Sequence, residues 1–228
     1  MSNAKTHMGI LGGSFDPIHF GHIKPCIELA EQFQLDTVKF LPCKVSPFKD
    51  TTFTSVQHRW NMISMITGSS DLFHADAREL ERDAPSYTYE SLKEISQEVS
   101  QDMSASTKLF WIMGEDALHE FPDWHQAEKI MQLCHVLVMR RPGVKANLDE
   151  RVSEWLSDYI SDDVSQLDKA DYGHIYITDT ETFDISSTQI REILQSGQQP
   201  QYLLPGSVWN YIKRNRLYQK ADILKQTV

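Results

Sequence analysis

Gly12-Gly13-Ser14-Phe15-Asp16-Pro17-Ile18-His19-Phe20-Gly21-His22 decides the reading of this chain. It follows a short apolar run, Met8 to Leu11, and precedes a helix-patterned segment beginning near Ile23. A strand that breaks into a glycine-rich turn and re-enters as a helix is a phosphate-cradling geometry. Glycine lets the backbone turn tightly and approach a ligand, while the helix start offers unpaired N–H groups and a positive dipole end. Neither G-x-G-x-x-G nor G-x-x-x-x-G-K-[ST] is present, so the lysine of a P-loop is missing. His19 and His22 stand where the loop becomes the helix and are read as its replacement, donors to phosphate oxygens. The same spacing could hold zinc, but no acidic or cysteine partner at metal spacing accompanies it, so no metal site is assigned.

The flanking sequence supplies alternating strands and helices. Ile23, Ile27, Ala30 and Phe33 recur at helical spacing, which predicts a helix from Ile23 to Gln34 with Pro25 in its first turn. Thr37 to Pro42, Lys108 to Met113, His135 to Met139 and His174 to Ile177 read as strands, and Leu72 to Leu80 as extended. Ser55 is a candidate N-cap for a helix through Ile66, and Thr88 for one from Tyr89 to Val99. A short helix is expected within Asp116 to Trp124 and an amphipathic one from His125 to Leu133. Later helices are expected from about Asp184 to Ser196 and from Ser207 to Lys213. This order implies an α/β fold, a Rossmann-like doubly wound parallel sheet covered on both faces, with a helical C-terminal part. Met1-Ser2-Asn3-Ala4 reads as an expression remnant within a leader at 1–7. A single domain is expected at 8–219, with an insertion or long crossover at 144–173 and a tail at 220–228.

The chain has 228 residues, 40% hydrophobic and 24% charged, which suits a soluble globular protein. No apolar run is long enough for a membrane span, and no signal peptide is legible. Cys26, Cys43 and Cys134 are far apart and are expected as reduced thiols in a cytoplasmic protein. A net charge of −10 argues against a general nucleic-acid binder. A phosphate-bearing ligand must then be held by a locally basic pocket.

In open parallel sheets ligands bind outside the carboxyl ends of the strands. Those ends carry the glycine loop, Lys44 and Lys49, Asp116, and the segment Ile185-Ser186-Ser187-Thr188-Gln189-Ile190-Arg191. That last segment reads as a second helix N-terminus, with hydroxyls, N–H groups and an arginine one turn inside.

Gly12 to His22 resembles the H-x-G-H signature of the nucleotidyltransferase superfamily. With His19 in first place it is more similar to nicotinate mononucleotide adenylyltransferases than to pantetheine-phosphate adenylyltransferases, which usually carry threonine there. Ile185 to Arg191 resembles the family's second signature, which clamps the triphosphate. Pro85-Ser86-Tyr87-Thr88 is similar to the segment whose backbone amides help hold the nicotinate carboxylate. Gly114 to Leu118 and Phe121 to His125 resemble the next segment, where the aspartate (here Asp116) meets a ribose hydroxyl and the tryptophan (Trp124) stacks on the pyridine ring. The resemblance runs from Met8 to about Tyr218, with 144–173 unmatched in detail. Two positions depart from it. His125 replaces a usual tyrosine, and Ser46-Pro47-Phe48-Lys49 lacks a histidine expected beside the mononucleotide phosphate.

The resemblance implies adenylyl transfer from ATP, with Mg2+ carried on the phosphates, to nicotinate mononucleotide, by direct attack without a covalent intermediate. It assigns ATP binding to Gly12, Gly13, Ser14, Phe15, His19, Gly21, His22, Gly114, Asp116, Ile185, Ser186, Ser187 and Arg191. Among these His22, His19 and Arg191 act on the reacting phosphates, and Lys49, Thr88, Trp124 and His125 bind the acceptor. ATP and the mononucleotide are the expected partners, with no nucleic acid and no membrane; oligomeric state is left open. Nicotinamide mononucleotide or phosphopantetheine as acceptor, and a non-catalytic nucleotide sensor, are the alternatives. The missing G-x-G-x-x-G argues against an NAD-dependent oxidoreductase.

Overall fold

The computed structural model describes residues 4–44, 52–102, 105–140, 149–180 and 185–219. In chain order the strands are β1 (Ala4–Gly13), β2 (Thr37–Pro42), β3 (Phe73–Ala75), β4 (Ala105–Gly114), β5 (His135–Met139) and β6 (Ile175–Thr178). The helices are α1 (Phe20–Phe33), α2 (Val56–Thr67), α3 (Arg78–Glu81), α4 (Thr88–Gln101), α5 (Glu115–Leu118), α6 (Ala127–Ile130), α7 (Glu150–Ser157), α8 (Ser165–Lys169), α9 (Ser187–Gln195) and α10 (Gly206–Asn215). All strand pairs are parallel, in the order β3-β2-β1-β4-β5-β6. This is the doubly wound Rossmann order. Its switch point lies between β1 and β4, beside the glycine loop.

The alternation of side chains along each strand separates two cores. Leu11, Phe110, Ile112, Leu137 and Met139 face one side, where they meet Ile23, Cys26 and Leu29 of α1, Met62 and Ile63 of α2, and Val208 and Ile212 of α10. Ile10, Leu109, Trp111, Met113, Val136 and Val138 face the other, against Leu92 and Ile95 of α4, Leu118, Phe121, Ile130 and Leu156. Strands buried on both faces are the continuous apolar runs seen in the sequence.

Several elements differ from the sequence-based expectation. β1 begins at Ala4, so Ala4 to His7, set aside above as leader, belong to the sheet; Thr6 and Thr107 hydroxyls meet at 2.9 Å across β1 and β4. α1 starts at Phe20, which puts Pro25 in the second turn; the N–H it lacks would have gone to the Gly21 carbonyl. Leu72 to Leu80 is a three-residue strand followed by the short α3. Tyr87, not Thr88, is the N-cap of α4, and Thr88 is its first residue. His125 to Leu133 is helical only over α6, because Gln126 has φ of 60° and interrupts the pattern. Asp116 to Trp124 divides into α5 and a 3₁₀ turn at Phe121–Asp123. Ser55 caps α2 as expected, accepting from the His58 N–H at 3.3 Å.

Of the polar segment at 144–173, residues 149–173 are described, and they precede β6 in the chain. α7 is capped by Asp149, which accepts from the Val152 N–H at 2.7 Å, and it buries Val152 and Leu156. α8 ends where the Lys108 ammonium donates to the Leu167 carbonyl. No disulfide joins the three buried cysteines, and burial pushes the Cys26 and Cys134 thiols up to about 12. Among the described residues no helix is long and apolar enough to cross a membrane.

His135, fully buried at the start of β5, makes the fold sensitive to acid. Its Nδ1 accepts from the His174 N–H at 3.2 Å, so the neutral ring carries its proton on Nε2, which faces the Ala170 carbonyl at 3.2 Å. A second proton on Nδ1 would oppose an N–H. Burial lowers this imidazole from 6.5 to about 4. Between those values the unfolded chain binds the proton and the folded one does not, so stability rises with pH across the window and falls as pH drops from 6.5 to 4. The full difference is about 3 kcal/mol at most. We expect His135→Asn to flatten the acid limb of a plot of urea midpoint against pH; an unchanged slope would refute the assignment.

Candidate active site

The site begins where β1 ends. A Cβ on Gly12 would stand 2.5 Å from the Trp111 ring, so only glycine lets β1 pass under that indole. The Gly13 carbonyl accepts from the Cys43 N–H at 3.0 Å, and the Ser14 carbonyl accepts from Arg59 Nη1 at 2.8 Å. Arg59 is fully buried on α2 behind the loop. Phe15 has φ of 49°, uncommon for a residue with a side chain, and its buried ring packs edge-on against Phe40 and His22. Backbone direction in the loop is thus fixed from the core side.

His19 and His22 come together as the sequence implied. His19 has extended backbone and caps α1, with its ring 3.7 Å from that of His22, centroid to centroid. The His19 N–H donates to His22 Nδ1 at 3.3 Å. That bond places the proton of a neutral His22 on Nε2, which makes Nε2 a donor.

The second signature docks onto the first. Ser187 donates to the Pro17 carbonyl at 3.0 Å, and Arg191 Nη1 to the Asp16 carbonyl at 2.8 Å. A Cβ on Gly21 would lie 2.9 Å from the Ile185 carbonyl oxygen. Ser186 caps α9, accepting from the Gln189 N–H at 3.1 Å. Arg191 also bonds Thr188 at 3.0 Å and stacks over the Phe53 ring at 4.2 Å. Two helix N-termini, two imidazoles and a guanidinium therefore converge on one loop. In a chain of net charge −10 they gather hydrogen-bond donors and positive dipole ends at one loop, the chemistry that a polyanion would require.

At the ends of β2 and β4 a second group of residues gathers. A Cβ on Gly114 would strike the Asp116 carboxylate, so glycine lets that side chain fold back over the strand end. The Lys44 N–H donates to the Ser86 hydroxyl at 3.1 Å, and its ammonium reaches Asp83 at 2.8 Å, so Lys44 ties the start of α4 to β2. Exposed His125 lies against Tyr87, ring centroids 4.5 Å apart, next to Thr88. Trp124 is half-buried, edge-on to Trp111 and Phe121. Through Trp111 the indole of Trp124 is linked to Gly12. Asp123 takes a two-pronged bond from Arg151 at 2.7 Å, which anchors α7 beside this region. The pair is exposed and screened by solvent, so we expect Arg151→Ala to leave the urea midpoint of unfolding almost unchanged. Lys49 and Phe48 lie outside the described residues.

Residues 10–193 match the model of the cytidylyltransferase-like family. A protein of Escherichia coli named "Nicotinate-nucleotide adenylyltransferase" is 37% identical over 94% of this chain and 100% of its own length. The chain belongs to the nicotinate-nucleotide adenylyltransferase family. A "Probable nicotinate-nucleotide adenylyltransferase" of Aeromonas salmonicida is 36% identical over 94% of this chain and 98% of its own. Among solved structures, the nicotinic acid mononucleotide adenylyltransferase of Plasmodium falciparum complexed with NaAD superposes with a TM-score of 0.68 at 19% identity. The match covers 93% of this chain and 97% of that one, a likeness of fold.

As a member of this adenylyltransferase family the chain is a nucleotidyltransferase enzyme. Pattern reading missed part of its site scaffold. Asp16, 2% exposed, accepts from the Thr54 hydroxyl at 2.6 Å, the Tyr218 hydroxyl at 2.6 Å, and the Phe53 and Thr54 N–H groups. Arg59, behind Ser14, falls within the helix expected from Ser55 through Ile66, and helical spacing alone does not mark its contact with the loop. The signal for both was available in kind, since an aspartate inside an apolar turn and an arginine on a buried helix face each require partners.

Proposed function

We propose that the chain transfers the adenylyl group of ATP to nicotinate mononucleotide, giving nicotinate adenine dinucleotide and pyrophosphate. The observation that carries this reading is the docking of Ser187 and Arg191 onto the loop that presents His19 and His22. The relatives' names support the choice of acceptor.

The attacking group is an oxygen of the mononucleotide's own phosphate. With a second pKa of about 6, that phosphate is largely dianionic near neutral pH and needs no general base. It attacks the α-phosphorus of ATP in line, and the bond from that phosphorus to the β-bridging oxygen breaks as pyrophosphate leaves. No enzyme nucleophile takes part, in keeping with Cys26 and Cys134 being buried and held protonated. Gly12, Gly13, Ser14, Phe15 and Gly21 shape the loop that receives the triphosphate. The His22 Nε2–H donates to the α-phosphate, where charge builds in the transition state. His19, Ile185, Ser186, Ser187 and Arg191 hold the β- and γ-phosphates at the start of α9. Asp116, folded over Gly114, accepts from a ribose hydroxyl.

Magnesium enters as part of the substrate, MgATP. Among the described residues no group of three or more His, Cys, Asp or Glu could hold a metal ion, whereas phosphate oxygens are the hard ligands it prefers. The N-terminus of α4 at Thr88 offers backbone N–H groups to the nicotinate carboxylate. Trp124 offers an indole face to the pyridine ring, His125 its backbone N–H, and Lys49 a charge to the mononucleotide phosphate.

The test is magnesium-dependent pyrophosphate release from ATP with nicotinate mononucleotide, run beside nicotinamide mononucleotide and phosphopantetheine. Strong preference for the nicotinate is the expected result. Preference for another acceptor overturns the assignment of Thr88, and no release from folded, ATP-binding protein overturns the enzyme mechanism. We further expect Trp124→Ala to raise KM for the mononucleotide about two- to tenfold, a loss of about 0.5–1.5 kcal/mol of ring contact, while KM for ATP stays unchanged. A rise in both constants would contradict a stacking role.

A further inference from the structure

The Asp16 carboxylate sits at a junction the proposed mechanism does not use. It is buried, yet four donors from two distant segments converge on it: Phe53 N–H, Thr54 N–H and hydroxyl, and the Tyr218 hydroxyl. Tyr218 reaches it from 202 residues away, after α10 has ended and the chain has turned back through Arg216 and Tyr218, both with positive φ. Burial, and next the Asp16 carboxylate, hold that hydroxyl well above its ordinary pKa. It therefore stays protonated, the form that donates.

Asp16 itself and one of the groups it fixes set the position of Arg191. The Asp16 carbonyl accepts from Nη1 at 2.8 Å, and the Phe53 ring, whose N–H is held by the Asp16 carboxylate, lies 4.2 Å under the guanidinium. A guanidinium has five N–H donors in a planar fork, so its plane decides which of them can meet phosphate oxygens.

We infer that Tyr218 is a positioning residue, which through the Asp16 carboxylate and the Phe53–Thr54 strand of chain holds the Arg191 guanidinium in the plane that meets the triphosphate of ATP. The inference rests on the reading of Arg191 given above. Tyr218 touches no substrate and acts at one remove. The sole atom that does so is its hydroxyl oxygen; its ring packs in the core beside Leu217 and is kept by phenylalanine.

The experiment is a double-mutant cycle on MgATP affinity, by calorimetry, with kinetics alongside. Tyr218→Phe should weaken MgATP binding about 5–10-fold and raise KM for ATP while KM for the mononucleotide holds, a coupling within the range for groups sharing one network. In an Arg191→Ala background the same change should have no further effect. Thr54→Val, which removes another donor from the same carboxylate, should repeat both results and serves if Tyr218→Phe fails to fold. Equal weakening in both backgrounds, or a lowered Tm with MgATP affinity intact, overturns the inference alone. Arg191→Ala with undiminished MgATP affinity overturns the reading of Arg191 itself, and this inference with it.

Discussion

His22→Ala should lower kcat about 10²–10³-fold, with KM for ATP changed little, because a donor aimed at developing charge contributes about 2.7–4 kcal/mol to the barrier and less to ground-state binding. The bond from the His19 N–H to His22 Nδ1 sharpens the test. In His22→Asn the side-chain amide reaches only the Nδ1 position, so it keeps the contact with the helix cap and loses the donor. In His22→Gln the amide nitrogen reaches the place of Nε2 and keeps a donor at the cost of the cap. Turnover should therefore follow Gln above Asn, with Asn close to Ala. Steady-state kinetics on the three variants decide it. The opposite order would mean that His22 serves the loop and not the phosphate.

Gly21→Ala should damage the site through a single added methyl group. Its Cβ would meet the Ile185 carbonyl at 2.9 Å and the His19 ring at 3.0 Å. A flexible side chain could give way, but Ile185 is backbone at the entry to α9, so relief must move one signature away from the other. Overpacking of this kind costs about 1–3 kcal/mol of stability. The larger effect falls on catalysis, since displacing positioned groups by an ångström can lower the rate about 10²-fold. We expect kcat/KM for ATP to fall at least that far, with a small drop in Tm. A variant that lost several degrees of Tm and kept its kcat/KM would show that the two signatures need not touch.

The parts of this architecture legible in the sequence are those whose signal is local. β2 and β5 lie at the bounds expected for them because each is a short apolar-rich run, stopped at Pro42 in one and before Arg140 in the other. Ser55 is a recognisable cap because a hydroxyl at a helix start has a fixed job. α1 began three residues early because histidine is not among the usual capping residues; His19 takes the role with extended backbone, and His22 answers it. The helix from His125 to Leu133 had the right apolar spacing and failed on one residue, Gln126, whose left-handed backbone no pattern announces. Gly12, Gly114 and Gly21 were all legible as glycines, but the reasons differ, an indole, a carboxylate and a carbonyl, and only packing reveals which. Contacts of long sequence separation, such as Arg59 to Ser14 and Tyr218 to Asp16, leave no local trace at all.

The central position of β1 has a consequence for how the molecule is born. Its first partner, β2, follows within a few dozen residues, but its second, β4, lies about a hundred residues on, as the Thr6–Thr107 contact records. During synthesis β1 must wait, half-paired, until the ribosome has delivered β4. Such non-local pairing makes parallel sheets slow to form and leaves apolar edges uncovered meanwhile. The wait is longer still for the nucleotide loop at the end of β1, whose aspartate gains its last donor from Tyr218. The first signature to be translated is thus among the last to be set in place.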